Sequence, residues 1–479
     1  MSKKFNTLSI IRNSGVAFGT SGARGLVTEF TPEVCGAFSH AFINVMKQKY
    51  KFHGVALAID NRPSSYSIAQ ACASVIAQYG LKVNYYGVIP TPALAYKALE
   101  DKIPCIMVTG SHIPHDRNGL KFYSPIGEIT KEDEIRIKDV SIDFTLDSSI
   151  PNLYPCPDAA SCYFKRYIDF FLEGILKGKR VGFYEHSSAG RDLYIPIFEK
   201  LGAEIVPIGR SDKFIPIDTE AVGHDLVIQA KKWALEYKLD AIFSTDGDGD
   251  RPMLSDENGK WLRGDILGLL CAETLNIKSI AIPISCNSLI MQRNCFEEVV
   301  LTKIGSPYVL DAFSSLKDKY HNYAGFEANG GFILGSDITV DNRKIKALPT
   351  RDALLPILVL LSANKKISSM VHSLPSRFTY SDRIANFLPE KRDRLFTICK
   401  NNPHTIVDLL GENEAGIEVK DINNLDGYRF TLNNNVIIHL RSSGNAPELR
   451  CYCEADSEFC AQKYVERILS SVACLIKIN

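Results

Sequence analysis

The chain has 479 residues, about three domains at roughly 150 residues each, and its 45% hydrophobic and 23% charged content is that of a globular protein with several buried cores. Lys plus Arg and Asp plus Glu both number 55, so no global field draws nucleic acid or an anionic membrane, and any anion site must be built locally. The 13 cysteines contain no CxxC pair, which excludes a disulfide framework and a zinc cluster.

The N-terminal segment has no apolar run long enough for a signal peptide. The longest apolar stretch, LLPILVLL at 354–361, is about half a membrane span. A protein of the reducing cytoplasm, without nucleic acid or membrane as partner, is expected.

In chain order, GTSGARG (19–25) comes first, a glycine-rich loop with Arg24 that suits a phosphate or a tight turn. Residues 55–87 then read as strand, amphipathic helix and strand, and the pattern returns at 180–209 and 279–305. The strands are mostly apolar, as in sheets covered by helices on both faces, so three α/β units follow.

Between the first and second units, TGSHIPHDRNGLK (109–121) follows the apolar strand PCIMV, where an open α/β sheet places its ligand loops. Ser111 lacks a G-x-S-x-G context. Beside His112, with Arg117 and Lys121 near, it suits either an ordinary polar turn or a phosphoryl group whose charge of roughly −2 demands cations.

STDGDGDRP (244–252) sets Asp246, Asp248 and Asp250 in one short loop after a strand, an all-oxygen donor set for Mg²⁺ or Ca²⁺, with Arg251 beside it for an anion the metal shares. A solvated acidic turn and an EF-hand are the alternatives; the EF-hand has Glu257 at the twelfth position, but Arg251 stands where that loop needs glycine. Lys303 ends the third repeat. GFEANGGF (325–332) follows, where Glu327 and Asn329 suit two neighbouring hydroxyls of a sugar, or an ordinary turn.

The last hundred residues read differently. Strands at 435–444 and 448–455 and a helix from 458 to 476 predict an α+β unit, and RSSGNAPELR (441–450) suits either a hairpin turn or a phosphate cradle. Linkers are expected at 151–161, 255–260 and 373–377.

These loops, in this order and over nearly the whole chain, resemble the α-D-phosphohexomutase superfamily: the phosphomannomutases, phosphoglucomutases and phosphoglucosamine mutases. The resemblance implies three related α/β domains with mixed sheets and a C-terminal α+β domain around a central cleft, here bounded as 1–158, 159–255, 256–373 and 374–479. It implies that Ser111 carries the phosphoryl group and completes the shell of Mg²⁺ held by Asp246, Asp248 and Asp250. Lys121 is then the acid/base group, in the pattern S-H-x-P-x-x-x-N-G-x-K, with His112, Arg24 and Arg251 completing the catalytic set.

On the substrate side the resemblance points to Lys303, Glu327 and Asn329 for the sugar and to Arg441, Ser443, Gly444 and Asn445 for the phosphate that stays. DNRPSS (60–65) and IPTPAL (89–94) match further, structural segments. The chain departs from the family at Ile113, where Asn is usual, at GFEANGG for the commoner G-E-x-S-G-H, and at Ala446, where Thr-Glu is frequent.

The implied activity is phosphomannomutase-like: hexose 6-phosphate and 1-phosphate interconvert through a hexose 1,6-bisphosphate intermediate and activator, with small sugar phosphates as partners. Phosphoglucomutase and phosphoglucosamine mutase are the alternatives, followed by a sugar phosphatase. The sequence is equally compatible with a monomer and a dimer.

Overall fold

The computed structural model describes residues 3–19, 22–146, 150–411, 416–442 and 448–477. The three repeats share one strand order. In the first, Gly54–Ile59 lies between the parallel strands Lys82–Val88 and Cys105–Val108, and Arg117–Ser124 joins antiparallel beyond the latter. In the second, Arg180–Tyr184 lies between Glu204–Ile208 and Ala241–Thr245, with Pro252–Leu254 antiparallel. In the third, Ser279–Pro283 lies between Glu298–Thr302 and Tyr323–Phe326, with Phe332–Leu334 antiparallel.

The sheets are therefore mixed, three parallel strands and one reversed neighbour in each repeat. The central strand is buried along its whole length in the first and third units, as an apolar run between helices requires. Each unit's second crossover is a full helix: Thr91–Asp101, His224–Glu236 and Ser306–Lys317.

The first crossover differs among the repeats. Ser65–Gln78 and Arg191–Lys200 are the expected amphipathic helices, but the third repeat keeps a single turn, Leu289–Gln292. There the chain turns extended at Arg293, whose guanidinium reaches Glu273 at 2.8 Å.

The C-terminal unit is α+β, as expected. Five antiparallel strands run in the order Phe378–Ala385, Glu448–Ala455, Ile437–Ser442, Tyr428–Leu432, Val419–Asn423, and the helix Glu458–Lys477 packs on the sheet. Its core, with Leu440, Cys451 and Val465, is separate. The first three units instead share one continuous core that includes Tyr96, Phe198 and Leu355.

Two linker readings need correction. Residues 255–260 form a reverse turn closed by a Ser255–Trp261 bridge, with Asp256 accepting from the backbone of Asn258 and Lys260; its Asn-Gly pair serves the turn. The stretch 151–161 runs into the helix Asp158–Ile168. The run at 354–361 is a buried core helix, Leu354–Ser362, and among the described residues no helix is long and apolar enough to cross a membrane.

Candidate active site

The shared strand order gives three loops one topological place. Residues 109–116, 246–251 and 327–331 each follow the third parallel strand of a repeat and precede its reversed fourth. What the sequence offered as unrelated motifs is one position used three times.

The first loop is held from beneath. Arg62 uses all five of its N–H donors: Nε to Asp60, and its two terminal nitrogens to the carbonyls of Ser111, Ile113, Pro114 and Arg117 at 2.6–2.9 Å. Thr109 Oγ1 donates to Asp60 at 2.7 Å and accepts from Ser111 N at 2.8 Å. So clamped, Ser111 adopts a left-handed φ of 55°, a conformation costly for a residue with a side chain.

Its Oγ donates to Asp246 Oδ2 at 2.6 Å, joining the first loop to the second. Gly247 permits the approach, because a Cβ there would lie 2.9 Å from the Ser111 carbonyl oxygen.

Asp246, Asp248 and Asp250 are fully buried, and one carboxylate oxygen from each lies within 4.8 Å of the others. Asp246 Oδ1 accepts from the backbone of Asp250 and Arg251 at 3.2 Å. Asp248 Oδ2 accepts from Thr91 Oγ1 at 2.6 Å and Lys121 Nζ at 2.5 Å, and Lys121 also donates to Asp250 Oδ2 at 2.6 Å.

Asp248 Oδ1 and Asp250 Oδ1 are buried with no hydrogen-bond partner. Burial and the charges of Asp248 and Asp250 push the Asp246 carboxyl well above the carboxylate range. Against its own burial, Asp250 is held low by Arg351, Lys121 and Arg251. Orphaned hard oxygens on mutually repelling acids fit a divalent cation such as Mg²⁺. Glu257 is no part of this set: its carboxylate binds Ser368 Oγ at 2.6 Å, which excludes the EF-hand.

His112 Nδ1 lies 2.8 Å from Arg251 and 3.5 Å from Ser111 Oγ. Burial and then Arg251 and Arg24 push its pKa far down, so the ring is neutral and Nδ1 accepts from the guanidinium. Arg24, paired in register with Gly119, is brought down to about 10 by burial and the charge of Arg251, and remains a cation at neutral pH.

The third loop is tightly wound. Asn329 Oδ1 accepts from Gly331 N at 3.0 Å, and Thr219 Oγ1 caps the Asn329 carbonyl at 2.8 Å. Glu327 is buried and accepts at 3.1 Å from Arg351, whose guanidinium also binds Asp250. In the C-terminal unit Arg441 pairs in register with Arg450 and lies 3.5 Å from Asp426 Oδ1. Asp426 Oδ2 accepts from Ile304 N at 2.8 Å, beside the exposed Lys303. Ser443, Gly444 and Asn445 lie outside the described residues.

Ser111, His112, Lys121, Arg251 and the three aspartates thus form one knot, which Glu327 joins through Arg351. Sequence reasoning missed Arg62, Thr91, Arg351 and Asp426 as parts of the site. Arg62 and Thr91 did lie in segments singled out as structural; nothing marked Arg351 or Asp426.

Two family models match: the α/β/α domain I of phosphoglucomutase/phosphomannomutase over residues 15–142 and its C-terminal domain over 398–471. A phosphomannomutase of Salmonella muenchen is 55% identical over 474 residues, 98% of each chain. The chain belongs to the phosphoglucomutase/phosphomannomutase family.

A Sinorhizobium fredii phosphomannomutase is 40% identical over 465 residues, 94% of this chain and 97% of that one. A solved phosphoglucomutase/phosphomannomutase family protein of Burkholderia thailandensis superposes with a TM-score of 0.70 at 20% identity, covering 98% of both chains. The two family models span the Ser111 loop and the Arg441 strand, and the aspartate and Glu327 loops lie in the stretch between them.

Proposed function

We propose that this family member is a phosphohexomutase that interconverts mannose 6-phosphate and mannose 1-phosphate through a mannose 1,6-bisphosphate. The carrying observation is the 2.6 Å contact of the strained, clamped Ser111 Oγ with a buried aspartate triad. The choice of mannose leans on two phosphomannomutases, 55% and 40% identical.

Ser111 carries the phosphoryl group. A free sugar hydroxyl attacks the phosphorus, a new P–O bond to the sugar forms, and the P–O bond to Ser111 Oγ breaks. Lys121, on the first unit's strand Arg117–Ser124 and reaching the aspartate loop of the second, is the acid/base group: as the neutral amine it takes the hydroxyl's proton, and a proton passes to Ser111 Oγ as its P–O bond breaks. The bisphosphate then turns end for end and returns its other phosphoryl group to Ser111.

When bound by Asp246, Asp248 and Asp250, Mg²⁺ offsets the charge spread over the transferring phosphoryl oxygens. Arg251 and Arg24 add fixed positive charge, and neutral His112 holds the Arg251 guanidinium at 2.8 Å. Arg441 grips the phosphate that is not transferred, so the enzyme keeps its intermediate where a phosphatase would release inorganic phosphate. Lys303, Glu327 and Asn329 face the sugar between these poles. All cysteines are unpaired, which suits the cytoplasm.

Coupled assays with mannose, glucose and glucosamine 6-phosphates test the reading. The highest kcat/KM is expected for mannose, and preference for either other sugar reassigns the substrate. No isomerisation of any of them overturns the proposal.

A further inference from the structure

Arg351 is among the largest fully buried side chains of the protein, at 1% exposure, and no step above uses it. It stands on the strand Leu348–Asp352 of the third unit, yet its guanidinium crosses into the aspartate loop of the second. Nε and one terminal nitrogen meet Asp250 Oδ2 at 3.2 and 2.9 Å, and the other terminal nitrogen meets Glu327 Oε2 at 3.1 Å.

The backbone beneath it is fixed by the next residue. Asp352 accepts from Tyr163 at 2.6 Å, from Tyr167, and from Leu354 N at 3.1 Å. Gly331 leaves room for the side chain, since a Cβ there would fall 2.4 Å from Arg351 Cδ.

The consequence lies in how the Asp250 carboxylate is shared. All its hydrogen bonds fall on Oδ2, from Lys121 and Arg351, while Oδ1 is buried without a hydrogen bond, Arg251 Nε lying 3.8 Å away. Lys121 cannot hold Asp248 and Asp250 and at the same time serve a sugar hydroxyl; this step rests on the mutase reading. When Lys121 turns to the sugar, Arg351 is the donor that still holds Oδ2.

We propose that Arg351 is a positioning residue of the metal loop: braced by Glu327, its fork fixes Asp250 by Oδ2 and keeps Oδ1 available to the cation while Lys121 moves. Glu327 supplies a second anchor that holds the guanidinium in this orientation, away from Oδ1, where it would compete with the metal. The sugar-facing loop and the metal loop are thereby coupled through one side chain.

Mn²⁺ alone, titrated into the full-length protein and followed by electron paramagnetic resonance, tests this without substrate. Arg351→Lys keeps the charge and loses the fork, so a fall in Mn²⁺ affinity of about tenfold or more isolates geometry from charge. Glu327→Gln weakens Mn²⁺ binding in the wild-type background and adds nothing in the Arg351→Lys background.

A purely structural role would lower the melting temperature and leave Mn²⁺ affinity alone. Should Arg351→Lys not fold, Glu327→Gln carries the test. Affinity within twofold of wild type in the folded variant overturns the proposal. Wild-type protein that binds Mn²⁺ but isomerises no hexose phosphate removes the mutase reading instead, leaving the Arg351 clamp to stand on the Mn²⁺ data.

Discussion

Arg62 is the support on which the Ser111 loop rests, and Arg62→Lys measures how much that support is worth. Arg62 presents five N–H donors to five acceptors: Asp60 and the carbonyls of Ser111, Ile113, Pro114 and Arg117. Lysine keeps the charge beside Asp60 but has three donors, so at least two acceptors lose their partner.

An orphaned buried acceptor costs about 1–3 kcal/mol, and some of these carbonyls lie where water reaches, which places the expected loss at about 2–4 kcal/mol of local stability. The guanidinium also stacks 4.0 Å from the Phe214 ring centroid, a contact lysine does not reproduce. At about 1.4 kcal/mol per tenfold, amide exchange across 109–117 should quicken by one to three orders of magnitude, with turnover falling at least tenfold as Ser111 loses its fixed place. Hydrogen-exchange mass spectrometry on the loop peptide, with rates on mannose 6-phosphate, gives both numbers. Wild-type protection and wild-type turnover in Arg62→Lys would refute the clamp.

Asp248→Asn removes one buried carboxylate of the triad and should cost about 10² or more in kcat, and chelation should abolish activity until Mg²⁺ is returned; steady-state rates of the variant, and of wild type before and after chelation, check the two. Arg441→Lys should raise the KM for hexose phosphate and lower kcat/KM by about tenfold, with Ser111 still phosphorylated by mass spectrometry, since a planar fork is replaced by a point charge.

Burial lowers the pKa of His186 to about 4, with the Thr245 carbonyl 2.9 Å from Nε2 opposing the shift. Its unfolded value is about 6.5, so the stability it lends is complete above that pH and is lost as pH falls toward 4. Urea unfolding from pH 7 to 4 should therefore lose less stability in His186→Gln than in wild type; equal slopes would contradict the assignment.

The parts of the site legible in the sequence are those where chemistry is packed locally. Three aspartates in a five-residue loop, or a serine between Gly110 and His112, betray themselves because few structural needs gather such groups. Strand order was legible only in part: the βαβ periodicity gave three α/β units, but nothing local announced that Arg117–Ser124, Pro252–Leu254 and Phe332–Leu334 reverse direction and so make the three loops equivalent.

Arg351 and Asp426 were invisible for the same reason. Each works by reaching a residue of another unit, Asp250 and Ile304 respectively, and such pairings leave no periodicity. The third repeat's missing helix shows the converse: the apolar spacing at 288–297 fits a helix, yet the chain stops after one turn, where Arg293 pairs with Glu273 instead.

The central claim is phosphoryl exchange between Ser111 and a sugar without loss to water, and ³¹P NMR of the purified enzyme with Mg²⁺, mannose 6-phosphate and a trace of a hexose 1,6-bisphosphate tests it most directly. The account predicts growth of the mannose 1-phosphate signal to equilibrium with no inorganic phosphate, and none of that growth in Ser111→Ala. Release of inorganic phosphate in place of isomer, or undiminished isomerisation by Ser111→Ala, would contradict it.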